Sequence, residues 1–221
     1  MSIEKRFFGK LDGKGDVDIY KITNKNGAFV ELMTLGAGIH SINVPDKNGK
    51  LGDVILGFDD VNNYLNPDLG YQGLVVGRYA NRIANGSFMM NGKKVQLTQN
   101  ESGKTCLHSG GEFSNAVWDA EAVGENAVEL SYLSPDGASG FEGKMDAKVK
   151  YTLTEDNKVV IEYSAVSDKD TVINFTNHTY FNLSGSAMSN VLGHVLKLNA
   201  KRFTPTDEDS IPTGQLRSVF N

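Results

Sequence analysis

An all-β fold of stacked antiparallel sheets is what this 221-residue sequence predicts, from three observations. Apolar residues recur with period two in several stretches, the spacing that gives a strand one buried face. Glycine is abundant, 24 residues against 5 prolines, and falls between short apolar runs where tight turns need φ > 0. No stretch sustains a helical period, and strands separated by turn signals form a sandwich or barrel.

Taken in order, residues 17–23 set Val17, Ile19 and Lys21 on one face and Asp18, Tyr20 and Ile22 on the other. His40 sits in a similar alternating pattern and reads as structural. Residues 59–65, after Gly57-Phe58, make a single helical turn. Asn91-Gly92, between Ser87–Met90 and residues 93–97, marks a hairpin, because a type I′ turn wants φ > 0 at both centres. Glu125-Asn126 separates two more strands, 117–123 and 127–133. Ala147, Val149, Tyr151 and Leu153 alternate with polar residues. After Glu155-Asp156-Asn157, the alternation resumes with Val159, Ile161, Tyr163 and Ala165, so the pair reads as a hairpin with one buried face. Residues 171–175 read as an apolar strand, and His194 as a strand histidine. Without a linker, low-complexity tract or usable repeat, residues 1–221 are expected to form one β-sandwich domain.

Composition excludes several classes. The net charge is −5 and no Lys/Arg stripe appears, so nucleic acid is not an expected partner. No run approaches the 18 apolar residues of a membrane span. Cys106 is the single cysteine, with no metal-binding spacing around it, and residues 1–6 are charged with no secretory core behind them. A reducing cytoplasm is the expected setting.

Three segments carry candidate chemistry. GRYANRIANG at 77–86 puts Arg78, Asn81 and Arg82 among glycines; arginine forks and amides suit sugar hydroxyls. The plainer reading is that both arginines pair with carboxylates. Thr105-Cys106-Leu107-His108-Ser109-Gly110-Gly111 sets a histidine beside small residues that let a ligand approach, or is simply a loop histidine. Strand alternation would put Cys106 and His108 on one face as a nucleophile pair, although no orienting group is identifiable. The third, residues 174–183, interleaves polar and aromatic groups around His178, with Tyr180 and Phe181 as a flat surface for a pyranose ring or as core aromatics.

Together these segments resemble the aldose 1-epimerase family. VILGFDD at 54–60, GRYANRIANG at 77–86, LHSGG at 107–111, SPDG at 134–137, NHTYFNLSG at 177–185 and IPTG at 211–214 look like the family's landmarks, in the family's order. The resemblance implies a large antiparallel β-sandwich that interconverts the α and β anomers of free hexoses such as galactose and glucose, with no metal or cofactor. It implies His178 as the general acid that protonates the ring oxygen. His108, catalytic and substrate-binding, would act with Asn81 and Arg82 to hold hydroxyls and stabilise charge as the ring opens, and Tyr180 would line the site. Two departures stand out. Ser109 separates His108 from two glycines that commonly follow the histidine directly, so this loop is expected to be longer and differently aimed. Family members also continue well past the landmark at 211–214, and their general-base glutamate and a binding aspartate lie there, so the C-terminal strands and the base are expected to be missing and these 221 residues inactive alone. Competing readings are a carbohydrate-binding or sensing module without catalysis, an enzyme for phosphorylated sugars that uses Arg78 and Arg82, and a plain interaction domain. Oligomeric state is not legible in the sequence.

Overall fold

The computed structural model describes residues 1–186 and 189–220. Five strands, β1 (Ser2–Leu11), β2 (Gly15–Thr23), β3 (Phe29–Met33), β4 (Gly38–Pro45) and β5 (Leu51–Asp53), form an antiparallel sheet in sequence order. The alternation in β2 serves two faces: Val17 and Ile19 pack on one side with Met33, Val61 and Tyr64, whereas Ile22 packs on the other with Val30, Leu32 and Ile39. The expected helical turn is a short 3₁₀ turn at Val61–Leu65, capped by the Asp60 carboxylate, which accepts from the Asn62 amide.

Short pairs follow: β6 (Val75–Val76), β7 (Arg82–Ile83), β8 (Ser87–Met90), β9 (Lys93–Gln96) and β10 (Cys106–Leu107). The β8–β9 hairpin turns at Asn91-Gly92 with φ of 51° and 75°, as the sequence required. A second antiparallel sheet runs in order through β11 (Asp119–Val123), β12 (Ala127–Ser134), β13 (Met145–Leu153) and β14 (Val159–Ser167). Its inner residues Val128, Leu130, Ala147, Val149 and Tyr151 join Ile22, Val30, Leu32 and Ile39 of the first sheet in one core, with Val75, Phe113 and Trp118. Buried polar groups tie the layers together: the Tyr151 hydroxyl donates to the Ala37 carbonyl at 2.7 Å and the Tyr20 hydroxyl to the Ala120 carbonyl at 3.1 Å. The remaining pairs are β15 (Thr176–Asn177) on β6, and β16 (Arg202–Phe203) on β17 (Arg217–Ser218). The fold is thus mostly antiparallel β, and no helix among the described residues is long and apolar enough to cross a membrane.

Four expectations need correction. Residues 171–175 do not form a strand: the main chain of Asn174 bonds to Arg78 and Ala80, so this stretch is spent on the site-bearing segment, and only Thr176–Asn177 pairs as a strand. His194 lies outside any strand, where its Nε2 accepts from the Leu183 amide at 2.9 Å. Val117 and Trp118 precede β11 because they bond to the connection between β3 and β4, Val117 opposite Leu35 and the Trp118 amide to the Thr34 carbonyl. The β13–β14 hairpin forms as expected, but the apolar face of β14 is only half covered, with Tyr163 37% exposed.

Candidate functional site

Two short strand pairs bring the candidate residues together. β6 pairs with β15, Val75 opposite Asn177, so the next residue, His178, leaves the ladder beside Leu74. Its amide donates to the Leu74 carbonyl at 2.8 Å and its carbonyl accepts from Gly73 at 3.0 Å. Gly73 has to be glycine: at φ 72° it passes the first sheet so closely that a Cβ would lie 2.0 Å from the Ile39 carbonyl oxygen. In the second pair, β7 and β10, Arg82 lies opposite Leu107, and the ladder is completed by the His108 amide, which donates to the Asn81 carbonyl at 3.0 Å.

The two ladders aim two imidazoles at each other, with ring centroids 5.3 Å apart and planes perpendicular. Tyr71 closes one side, 4.6 Å from the His108 ring and 5.7 Å from the His178 ring, and Tyr180 lies 5.0 Å from His178. Tyr180 is 41% exposed, so the arrangement is an open aromatic face. A hollow of about 210 Å³ opens beside the site, lined by Arg82, Glu101 and Thr105, whereas one of about 320 Å³ between Val44, Leu51 and Leu183 contains none of these rings.

His108 has a defined tautomer. Its Nδ1 lies 2.9 Å from the Asn81 amide nitrogen, which can only donate, so Nδ1 carries the lone pair and the proton of the neutral ring sits on Nε2. Burial, followed by the nearby His178 and Arg82, pushes its pKa down to about 4, with Glu101 partly opposing. His108 is therefore a neutral Nε2–H donor near pH 7. Neither nitrogen of His178 has a hydrogen-bond partner among the described residues, which leaves both for a ligand.

Arg82 is gripped by Glu101 through two bonds of 2.7 Å, and Glu101 also accepts from the Thr105 hydroxyl at 2.6 Å. These bonds hold the Glu101 carboxyl below the usual range, which makes it a weak base. The Asn81 side-chain oxygen accepts from the Arg82 amide at 2.9 Å and more weakly from Nη1 at 3.3 Å. Donors on both Nη atoms and the exposed Asn81 amide group stay available beside His108. The candidates Asn81, Arg82, His108, His178 and Tyr180 thus converge, and the ion-pair reading of Arg82 holds as well.

Arg78 behaves differently. It is fully buried, donating to the Ser134 hydroxyl from Nε at 2.9 Å and to the Pro135 and Glu142 carbonyls at 2.9 and 3.1 Å, with the Glu112 carboxylate 3.9 Å away. No phosphate can reach it, which removes half the basis for a phosphosugar enzyme. The cysteine–histidine pairing also fails. Cys106 is 1% exposed among Val95, Leu97 and Phe141, and His108 has left the strand at φ 49°, so the two no longer share a face. His108 and Ser109 both take left-handed backbone, at about 1–2 kcal/mol each. Tyr71 and Glu101 escaped the sequence reading; Gly70-Tyr71-Gln72-Gly73, an aromatic framed by glycines, is the signal that could have flagged the first.

Comparison with known proteins bears on the family and the fold. The sequence profile described as aldose 1-epimerase matches residues 18–221. The chain is 44% identical over 220 residues to an aldose 1-epimerase from Haemophilus influenzae and 38% identical over 221 residues to a galactose mutarotase from Bos taurus, covering 99% of this chain in both cases. It spans 63% of the length of each of those relatives. Among solved structures, an aldose epimerase homologue from C. elegans superposes with a TM-score of 0.84 at 32% identity, covering 99% of this chain and 62% of that one. A galactose 1-epimerase from Lactobacillus acidophilus superposes with a TM-score of 0.81 at 27% identity, covering 100% of this chain and 64% of that one. By profile, sequence and fold, the chain belongs to the aldose 1-epimerase family.

Proposed function

We propose that this chain carries the acid side and the sugar grip of an active site that interconverts the anomers of free aldohexoses, galactose and glucose among them. The observation that carries the reading is the imidazole pair: His108 locked as an Nε2–H donor by the Asn81 amide, and His178 beside it with neither nitrogen hydrogen-bonded among the described residues.

Opening a hemiacetal breaks the bond between C1 and the ring oxygen while a carbonyl forms at C1. The ring oxygen must gain a proton as the anomeric hydroxyl loses one. In this reading His178 delivers the first proton, since imidazole is the side chain best matched to proton exchange near neutrality. His108 donates from Nε2 to a sugar oxygen, and Asn81 and Arg82 hold further hydroxyls. Tyr71 and Tyr180 flank the ring, leaving C1 free to rotate about its bond to C2 before closure on the other carbonyl face.

The base that takes the anomeric proton is a separate matter. Glu101 is a carboxylate whose charge reaches His108, and Arg82 and Thr105 occupy it. We place the base in polypeptide that the longer relatives have in addition to this stretch. Polarimetry tests both halves. The 221 residues alone are expected to leave the spontaneous equilibration of α-D-galactose unaccelerated, and fast mutarotation by them would end the missing-base reading. In any form that equilibrates anomers, His178→Asn should cost about 100-fold or more. Sugar binding with no turnover in such a longer form would instead favour the binding module.

A further inference from the structure

The most ordered feature of the imidazole pair that ring opening itself leaves unused is the residue following His108. Ser109 is 1% exposed and sits at φ 52°, between His108 at φ 49° and Gly110 at φ 69°. A glycine would take this left-handed conformation without steric cost, and serine does not. Its hydroxyl is fully engaged: Oγ accepts from the Tyr79 amide at 2.8 Å and donates to the Tyr79 carbonyl at 3.2 Å. Two residues further along the same segment, Asn81 makes the matching double contact with His108, carbonyl to amide and amide to Nδ1. Residues 108–109 and 79–81 are therefore stitched by four hydrogen bonds, and the outermost two depend on one hydroxyl.

We propose that Ser109 is a positioning residue: by clasping both main-chain groups of Tyr79 it fixes the segment that presents the Asn81 amide to His108 Nδ1, and so fixes the His108 ring and its tautomer. The sugar-binding consequence rests on the proposed mutarotase function; the clasp does not. Without the hydroxyl, Tyr79 is free to shift, the Asn81 amide loses its aim, and the ring can rotate or exchange tautomers. The charged and titratable groups facing that ring are Tyr71, Arg82, Glu101 and His178, from four different segments, and the Ser109 hydroxyl bonds to none of them. A change in the His108 tautomer would then report the lost clasp.

The test is imidazole ¹⁵N NMR on the 221-residue protein as Ser109→Ala and Ser109→Gly. Wild-type His108 should hold a single Nε2–H tautomer and titrate near its depressed value of about 4. In both variants the ring should show a mixture of Nδ1–H and Nε2–H tautomers at neutral pH. Ser109→Gly makes the sharper case, because it relieves the backbone and should not lower the melting temperature while still releasing the ring. A single Nε2–H tautomer retained in the variants, at whatever melting temperature, overturns the clasp. Should neither variant fold, amide exchange on the wild type decides: a protected Tyr79 amide supports the clasp, and exchange at the rate of an open loop overturns it. Galactose titrated into the same samples separates the two readings. A roughly tenfold weaker affinity in the variants, the size expected from one misaimed donor, supports both. Disturbed tautomers with galactose bound equally well, or not at all, leave the clasp standing and remove the sugar site.

Discussion

Arg78 and Arg82 stand four residues apart in one decapeptide and do opposite work. Arg78 is sealed under the second sheet, donating to Ser134, Pro135 and Glu142 with the Glu112 carboxylate 3.9 Å away. Arg82 lies at the surface end of β7, paired with Glu101 and beside His108. A guanidinium buried among fixed acceptors is a bolt, since moving it leaves unpaired polar groups in the core. One held by a partly exposed carboxylate keeps donors for a visitor. The comparison teaches that residue type identifies a possible site, and only the neighbours decide whether the group is spent on the fold or left for function.

The largest expected effect breaks the bolt. Arg78→Met leaves the Glu112 carboxylate buried without its cation and Ser134 without its donor partner, and should destabilise the chain by about 3–5 kcal/mol in urea melts. Glu112→Gln should cost less, because Arg78 keeps its bonds to Ser134 and the two carbonyls. A loss under about 1 kcal/mol for Arg78→Met would show that the buried network contributes little.

Acid sharpens the same contrast, with opposite signs for the two regions. His108 is held down to about 4 in the folded state against an ordinary 6.5, so between those values the unfolded chain binds more protons and stability falls as the pH drops. Burial lowers His40 as well, which adds in the same direction. Burial raises Glu112, so the folded chain takes up that proton first as the pH approaches the carboxylate range, and this group alone would gain stability on acidification. The imidazoles should dominate from pH 6.5 down to about 5, costing of order 2 kcal/mol in all. His108→Asn should flatten the decline and Glu112→Gln should steepen it. Identical slopes for the two variants would mean that neither group titrates as its surroundings dictate.

Why this division was hidden from the sequence has a physical answer. Period-two alternation assumes a continuous strand, and on that assumption residues 78 and 82 point to the same side. The strand breaks between them: Asn81 sits at φ 63°, which reverses the facing of the residues after it. The regular parts were legible, as with the buried face of β13 and the Asn91-Gly92 hairpin, because one rule governs each. The imidazole pair was legible as a motif, because histidines followed by small or aromatic residues stand apart from strand composition. Its tautomer was not, since that depends on one amide 27 residues away in the chain. The same holds for residues 171–175, whose apolar run looks like a strand until Arg78 and Ala80 claim its main chain.

The smallest effect tests the open arginine. Arg82→Lys keeps the charge but replaces a planar fork with a single point, so the paired 2.7 Å bonds to Glu101 become at most one. The Arg82 and Glu101 side chains are 24% and 29% exposed, so water compensates and stability should move by less than about 1 kcal/mol. Sugar affinity should suffer more, by roughly tenfold, because the donors that would face hydroxyls are no longer pre-aimed and the Asn81 side chain loses its neighbour. Urea melts and a galactose titration on the same sample read the two effects separately. If Arg82→Lys instead unfolds the chain as readily as Arg78→Met, Arg82 is a second bolt, and the aromatic face beside it holds no sugar grip.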